Sequence, residues 1–403
     1  MFTKRLPVLL ALVLVTAVAL GGCVVAPAGE PAGEGDGAEE FVFGVVLVGP
    51  QNDHGYSEAH YQGALYAEER IDGARMIVLD KMNTADRPGT TLEQVVDEMV
   101  GQGARLIITT SDDFADDTDT AAAKYPDIEF VHISGDHVLT GAAPENVHNR
   151  FSQMEYMKAV AGCAAALKTQ TGSIAYLGPL VNNETRRLAA SAYLGAQDCY
   201  EMYRGEQPEN LRFVVNWIGF WFNIPGVTLD PNEVADDLFN GGADVILSGI
   251  DTTEAIVKAG QRAERGEQVW AIPYDYEGAC ELAPEICLGT PYFNWGPTYI
   301  ELIDAAKAGT LEHEWVWAEP AWEDLNNRDV ATVGYAYGDA LTDEERANLE
   351  DYIAKLASGE VVLFQGPLNL QDGTEYVAEG QTATEEQIWG LPQLLEGMEG
   401  SSN

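Results

Sequence analysis

Positive charge is scarce in this 403-residue chain: 22 Lys and Arg stand against 65 Asp and Glu, for a formal net charge of −43. A surface that acidic repels nucleic acid, anionic lipid and polyanionic ligands. It fits a neutral or cationic ligand, or one recognised only inside a pocket; adaptation to salt or plain solubility also accounts for it. Histidine is limited to six residues, which leaves few general bases. His54 and His60, six positions apart, do not share one helix face, and no cysteine or histidine spacing fits zinc. No Gly-x-Ser-x-Gly elbow, Walker loop or His-Glu-x-x-His motif occurs. Paired acids such as Asp112-Asp113 are too common in so acidic a chain to imply glycosidase chemistry. These absences predict a non-enzyme with no cofactor and no metal. Beyond residues 6–20, no apolar run approaches the ~20 residues needed to span a bilayer.

Cysteine is also scarce, at five residues, and the first is the most informative. Lys4 and Arg5 precede an apolar stretch, Leu6 to Leu20, that is short for a membrane helix. Leu20-Gly21-Gly22-Cys23 follows. This order resembles a bacterial lipoprotein signal peptide (residues 1–22), cut before the cysteine that then takes lipid. An ordinary secretory signal with a chance cysteine is the plainer alternative. Residues 23–40 are rich in Gly, Pro, Ala and Glu without an aromatic, the composition of a flexible tether. Cys163, Cys199, Cys280 and Cys287 remain, and an oxidising compartment permits two disulfides among them in three pairings. Cys280–Cys287, closing a short loop, and Cys163–Cys199, linking two helices, are the favoured pairs; buried free thiols are the alternative.

From Phe41 onward, apolar β-rich runs (41–49, 75–80, 105–111, 129–135) alternate with segments of helical period (57–71, 91–101, 116–124). The alternation predicts parallel βαβ units with right-handed crossovers. A second series follows, with helices at 153–168, 184–200, 232–240 and 253–265 and strands at 173–178, 211–217, 244–249 and 268–275. Two such series predict two similar lobes, residues 41–147 and 148–276. The remaining chain, with strand-like pieces at 286–293 and 330–336 and helices at 295–308 and 343–356, is expected to return to each lobe in turn. Residues 277–320 would complete the first and 321–397 the second. No helix-turn-helix precedes the first strand, which disfavours a repressor.

Ligands of open α/β sheets bind outside the carboxyl ends of the strands. The first strand runs into Gly49 and Pro50, which end it, and Asn52, Asp53 or Ser57 can cap the helix that follows. Capping does not explain Tyr56 among them. Asp112 follows the third strand, Asp251 follows LSGI, and Asp275 ends the run 268–275. Asp112 and Asp113 also read as a helix entrance, and Asp251 as a cap.

Asp53-His54-Gly55-Tyr56-Ser57, KYPDIEFVHISG (124–135), RFSQMEYMKAVAG (150–162), Trp221-Phe222-Asn223, Pro273-Tyr274-Asp275, Asn294-Trp295-Gly296-Pro297 and FQGPLNLQDG (364–373) form an ordered set. Through it the chain resembles the basic membrane protein (PnrA-like) family of ABC-transporter substrate-binding lipoproteins. The resemblance implies an α/β fold of the two-lobed type I periplasmic-binding kind, each lobe a parallel sheet flanked by helices, with the ligand cleft at the hinge. It also implies a purine nucleoside as ligand, with free bases or riboflavin bound by other members. A flat heterocycle gains ~1–3 kcal/mol from each aromatic stacking contact, and Tyr56 from one lobe and Trp221 or Phe222 from the other are the candidates. Asn52 and Asn294 offer donor–acceptor pairs to a purine edge, with Trp295 beside the latter. Asp53 can accept from ring or amino N–H groups, and Asp275 and either Asp112 or Asp113 from ribose hydroxyls, with Asp251 as another strand-end acid. Nucleoside-binding members carry a lysine near the position of Asn294-Trp295, which this chain lacks; a free base such as adenine or hypoxanthine therefore stands beside the nucleoside. The expected protein is a monomeric, extracytoplasmic receptor held to the cell membrane by lipid on Cys23, handing its ligand to an ABC permease. A sensor lipoprotein using the same closure, and a surface hydrolase or nucleoside-processing enzyme, are the alternatives.

Overall fold

The computed structural model describes residues 40–403. The expected signal peptide (1–22), Cys23 and all of the expected tether but Glu40 lie outside the described residues. Two parallel sheets organise the chain. The first series supplies β1 (Phe41–Val46), β2 (Ala74–Leu79), β3 (Ala104–Thr109), β4 (Glu129–Ile133) and β5 (Val147–Ser152). The second supplies β6 (Ser173–Gly178), β7 (Arg212–Trp217), β8 (Val245–Ser248) and β9 (Trp270–Ile272). After these come β10 (Gly289–Phe293), β11 (Trp315–Ala318), β12 (Val333–Tyr337), β13 (Leu368–Asn369), β14 (Glu375–Val377) and β15 (Met398–Glu399). The sheet orders are β11-β5-β4-β3-β1-β2 and β15-β7-β6-β8-β9, with every neighbour parallel. The late chain thus adds one edge strand to each sheet. Between them β10 and β12 pair antiparallel.

Helices α1 (Tyr56–Arg70), α2 (Leu92–Gly101) and α3 (Ala115–Lys124) make the crossovers of the first sheet, and the short α4 (His137–Thr140) precedes β5. Helix α5 (Met154–Lys168) leads to the second sheet, whose crossovers are α6 (Asn183–Met202), α7 (Pro231–Asn240) and α8 (Glu254–Glu264). Every residue of β1 and of β6 is buried, as expected of parallel strands covered on both faces. Local chemistry sets the helix starts: Thr91 with Gln94, and Asn182 with Thr185, form reciprocal capping boxes, and Asp230 caps α7 ahead of Pro231.

Helices α5 and α6 pack at backbone distance. A Cβ on Gly162 would lie 1.8 Å from the Ala192 carbonyl oxygen, and one on Gly195 would lie 2.0 Å from that of Ala159. Cys163 and Cys199 close a disulfide across this seam, Cα to Cα 5.1 Å; Cys280 and Cys287 close the other, at 5.5 Å. Both favoured pairs are therefore formed.

Strand β5 has no counterpart in the pattern read from sequence, because its core holds His148, Asn149 and Arg150 rather than an apolar run. Each is satisfied in place. His148 bonds the Glu312 carbonyl and the Glu129 carboxylate, Asn149 donates to the His132 carbonyl, and Arg150 pairs with Glu314.

Candidate functional site

The strand ends of both sheets meet around one cavity, with about 400 Å³ of empty space, mouth included. The first sheet supplies Tyr56 at the start of α1, Ser111 and Asp112 after β3, and Ser134 after β4. From the second come Tyr176 in β6, Glu184, Thr185 and Leu188 from the start of α6, Trp221 after β7, Gly249 and Asp251 after β8, and Tyr274 and Asp275 after β9. Four aromatic side chains and four carboxylates thus face one space. Gly249 is required there: a Cβ on it would lie 2.4 Å from the Tyr176 ring.

Backbone strain concentrates at these loops. His54, Ser134 and Asp275 have φ of 55°, 65° and 72°, in the left-handed region that non-glycine residues enter at a cost of ~1–3 kcal/mol. Asp275 is fully buried, and neither of its carboxylate oxygens has a hydrogen-bond partner. The indole N–H of Trp221 is also buried and unpartnered. Unmet polar groups aimed at one cavity are what a ligand would satisfy.

Electrostatics follow from burial. Asp251 and Asp275 are pushed well above the usual carboxylate range by burial, and each is further raised by neighbouring acids; for Asp275 the Lys158 ammonium pulls the other way. Burial lifts Glu184 to about 8 and raises Asp112, which Arg187 partly offsets. The cavity is therefore rich in acceptors when its acids are ionised, and burial favours their protonated forms.

Tyr56, Asp112, Trp221, Asp251 and Asp275 all line the cavity, while the other five sequence-derived candidates lie elsewhere. Asp53 lies two residues before Gly55, the N-cap of α1, and its carboxylate accepts the Gly55, Ser57 and Glu58 amides at 2.9, 3.1 and 2.9 Å; it rises to about 6 through burial. Asn52 is exposed on the loop before it. Asn294 donates its amide to the Arg328 and Ala331 carbonyls at 3.0 and 2.6 Å, pinning that loop. Trp295 is 1% exposed and stacks between His60 and Phe293. Phe222, half-buried, packs edge-on against Phe220. Sequence reasoning missed Tyr176 and Glu184: the first sits inside a strand rather than after one, and the second reads as an ordinary acid in a helix's first turn. Tyr274 lay within a quoted motif but was given no role. Among the described residues no cluster of His, Cys, Asp and Glu is arranged to hold a metal ion, and no described helix is long and apolar enough to cross a membrane.

Known proteins share this architecture. A solute-binding protein of an ABC transporter system from Aeropyrum pernix K1 superposes with a TM-score of 0.62 at 14% identity, covering 88% of this chain and all of that one. Its counterpart from Conexibacter woesei gives 0.58 at 18% identity, covering 80% and 98%. At these identities the likeness establishes the fold, a two-lobed solute-binding architecture. A purine-binding protein of Brucella abortus is 27% identical over 361 residues, 90% of this chain and 93% of that protein. The family model described as ABC transporter substrate-binding protein PnrA-like matches residues 41–319. The chain therefore belongs to the PnrA-like family of ABC transporter substrate-binding proteins.

Proposed function

We propose that the cavity receives a free purine base or purine nucleoside, and that the protein carries it outside the cytoplasmic membrane to an ABC permease, tethered as a monomer by lipid on Cys23. The observation that carries the reading is the pairing of aromatic walls (Tyr56, Tyr176, Trp221, Tyr274) with buried, unpartnered hydrogen-bonding groups on Asp275 and Trp221. A purine offers two π faces to the former and a rim of N–H and ring-nitrogen groups to the latter. The carboxylates disfavour nucleotides and other anions, whose phosphates would meet like charge. The purine-binding relative at 27% identity supports the same ligand class. Two lobes, one built on each parallel sheet, with β5 (Val147–Ser152) in the first and β15 (Met398–Glu399) in the second, would close on the ligand, and the permease would read the closed form.

Mass spectrometry of the small molecule that co-purifies with the protein, followed by calorimetric titration with adenine, hypoxanthine, inosine, guanosine and riboflavin, tests this reading. A purine is expected to co-purify and to bind; binding of riboflavin alone, or of none of the five, would overturn it. Cell fractionation of Cys23→Ser tests the anchor: release from the membrane is expected, and retention would reject the lipid assignment.

A further inference from the structure

We propose that a second cavity, separate from the one at the strand ends, binds an amino alcohol: a small organic cation held by carboxylates and aromatic rings, with a hydroxyl that meets a buried indole N–H. The proposal does not depend on the purine reading and adds a ligand of a different chemical class.

This cavity has about 590 Å³ of empty space, mouth included, and shares no lining residue with the first. Glu155 and Tyr156 line it from the first turn of α5, Trp317 from β11, and Glu319 from the residue just after that strand. The late chain completes it with Phe364 and with Glu385, which opens the short helix Glu385–Trp389. Three carboxylates and three aromatic side chains thus meet in one recess, and no Lys, Arg or His is among its described lining residues. Packing fixes two of the rings. Tyr156 lies edge-on to Trp322 with centroids 5.0 Å apart, and Trp317 edge-on to Trp389 at 5.3 Å.

In so acidic a chain, a group of carboxylates designates nothing by itself. Two buried polar atoms single out this recess. Glu155 and Trp317 are 2% and 8% exposed as whole residues. Glu155 Oε1 accepts from the Arg187 guanidinium at 2.6 Å, whereas its Oε2 has no partner. The indole N–H of Trp317 is likewise unpartnered. Leaving such groups unmet is costly, and the two are of opposite sense: the carboxylate oxygen needs a donor and the indole an acceptor. An ammonium only donates, so a simple amine serves the first and not the second; a hydroxyl can serve either. A metal ion would also leave the indole unmet, and no described cluster of His, Cys, Asp and Glu is arranged to hold one. The rest of the lining sets the charge. The exposed carboxylates of Glu319 and Glu385 and the aromatic faces all attract a cation and disfavour an anion. Ammonium and hydroxyl on one short carbon skeleton make an amino alcohol.

The test is calorimetric titration of the full chain with choline at low ionic strength, against tetramethylammonium and sodium as chloride salts. Choline is expected to bind at least about tenfold more tightly than tetramethylammonium, which carries the charge without the hydroxyl, the scale of one hydrogen bond to a buried group. Sodium should not bind. Glu319→Gln combined with Glu385→Gln should weaken choline by about threefold or more, the scale of two exposed charge contacts, and leave adenine affinity unchanged. Trp317→Phe should erase the preference for choline over tetramethylammonium, a readout that a general loosening of the fold would not produce. No choline binding, equal affinity for choline and tetramethylammonium in the unmodified protein, or displacement of choline by adenine would overturn the proposal. If Trp317→Phe does not fold, the rim variant decides, since both of its residues are exposed: weakened choline binding supports the site, and undiminished binding overturns it. Failure of adenine to bind would reject the purine reading and leave this one standing.

Discussion

Gly55 and Asp251 meet backbone to backbone across the cleft: a Cβ on Gly55 would stand 1.7 Å from the Asp251 carbonyl oxygen. Gly55 belongs to the loop after β1 of the first sheet, Asp251 to the loop after β8 of the second. Nearby, Asn182 at the start of α6 donates to Asp112 after β3, at 3.3 Å. These two contacts join loops of the two sheets, and the first lies next to the cavity-lining Tyr56 and on the cavity-lining Asp251 itself. Gly55→Ala should hold the lobes apart without disturbing either sheet. Ligand affinity is expected to fall by at least about tenfold, since a ligand must then overcome the wedge to reach the closed state. Calorimetry gives the affinity, and small-angle scattering should show that added ligand no longer compacts the protein.

Asp275 should set function against stability. Its buried carboxylate lacks hydrogen-bond partners, and asparagine tolerates the left-handed backbone it occupies. Asp275→Asn is therefore expected to raise the melting temperature of the unliganded protein, because an acid pushed well above its ordinary range by burial must either keep a desolvated charge or take up a proton on folding, and an amide does neither. The same change should weaken ligand binding by roughly tenfold or more, the scale of a lost charge-assisted hydrogen bond. Thermal unfolding and calorimetry on one preparation check both signs.

Trp221 and Phe222 are adjacent in sequence and separate in role. Trp221 lines the cavity, and its backbone carbonyl accepts from the Asp251 amide at 2.9 Å. Phe222 packs on Phe220 instead. Trp221→Ala should cost ~1–3 kcal/mol of binding, one stacking contact, while Phe222→Ala leaves affinity within about twofold, where a stacking role would lose that same ~1–3 kcal/mol.

That pair shows how far the sequence was legible. The alternation of apolar runs and helical periods announces two parallel sheets, because buried strands must be continuously apolar. Strand-end acids such as Asp251 and Asp275 follow from the rule that open sheets bind ligands there. Asp53 and Asn294 carry suitable chemistry, yet their side chains are consumed by backbone groups of their own loops. Only coordinates distinguish an acceptor that caps a helix from one that awaits a ligand. Tyr176 and Glu184 escape for the opposite reason: they sit inside regular elements, a strand and a helix's first turn, and line the cavity from there.

Glu184 gives the protein a pH signature. Burial raises its carboxyl from 4.5 to about 8, so between those values the folded state binds a proton that the unfolded chain has released. Stability then falls as pH rises through that window. Glu184→Gln removes this contribution, so its melting temperature should decline less between pH 5 and pH 8 than that of the unmodified protein. Equal slopes in the two proteins would place Glu184 among ordinary solvated acids.

Beneath the cavity, Arg187 and Glu155 form an ion pair at 2.6 Å with side chains 1% and 3% exposed, and each keeps one buried atom without a partner. The Arg187 guanidinium also lies over the Trp389 ring, 4.1 Å from its centroid, so the pair ties α5 to α6 and to the late chain. Such a pair contributes little net stability relative to well-packed apolar residues, but breaking it strands a charge. Arg187→Met is expected to destabilise by ~3–5 kcal/mol, since Glu155 is left buried and uncompensated. Arg187→Met combined with Glu155→Leu should recover most of that loss, because neither charge then remains in the interior. Urea unfolding of the two single variants and the double variant measures the coupling; additive losses would mean that the two side chains stabilise the fold independently.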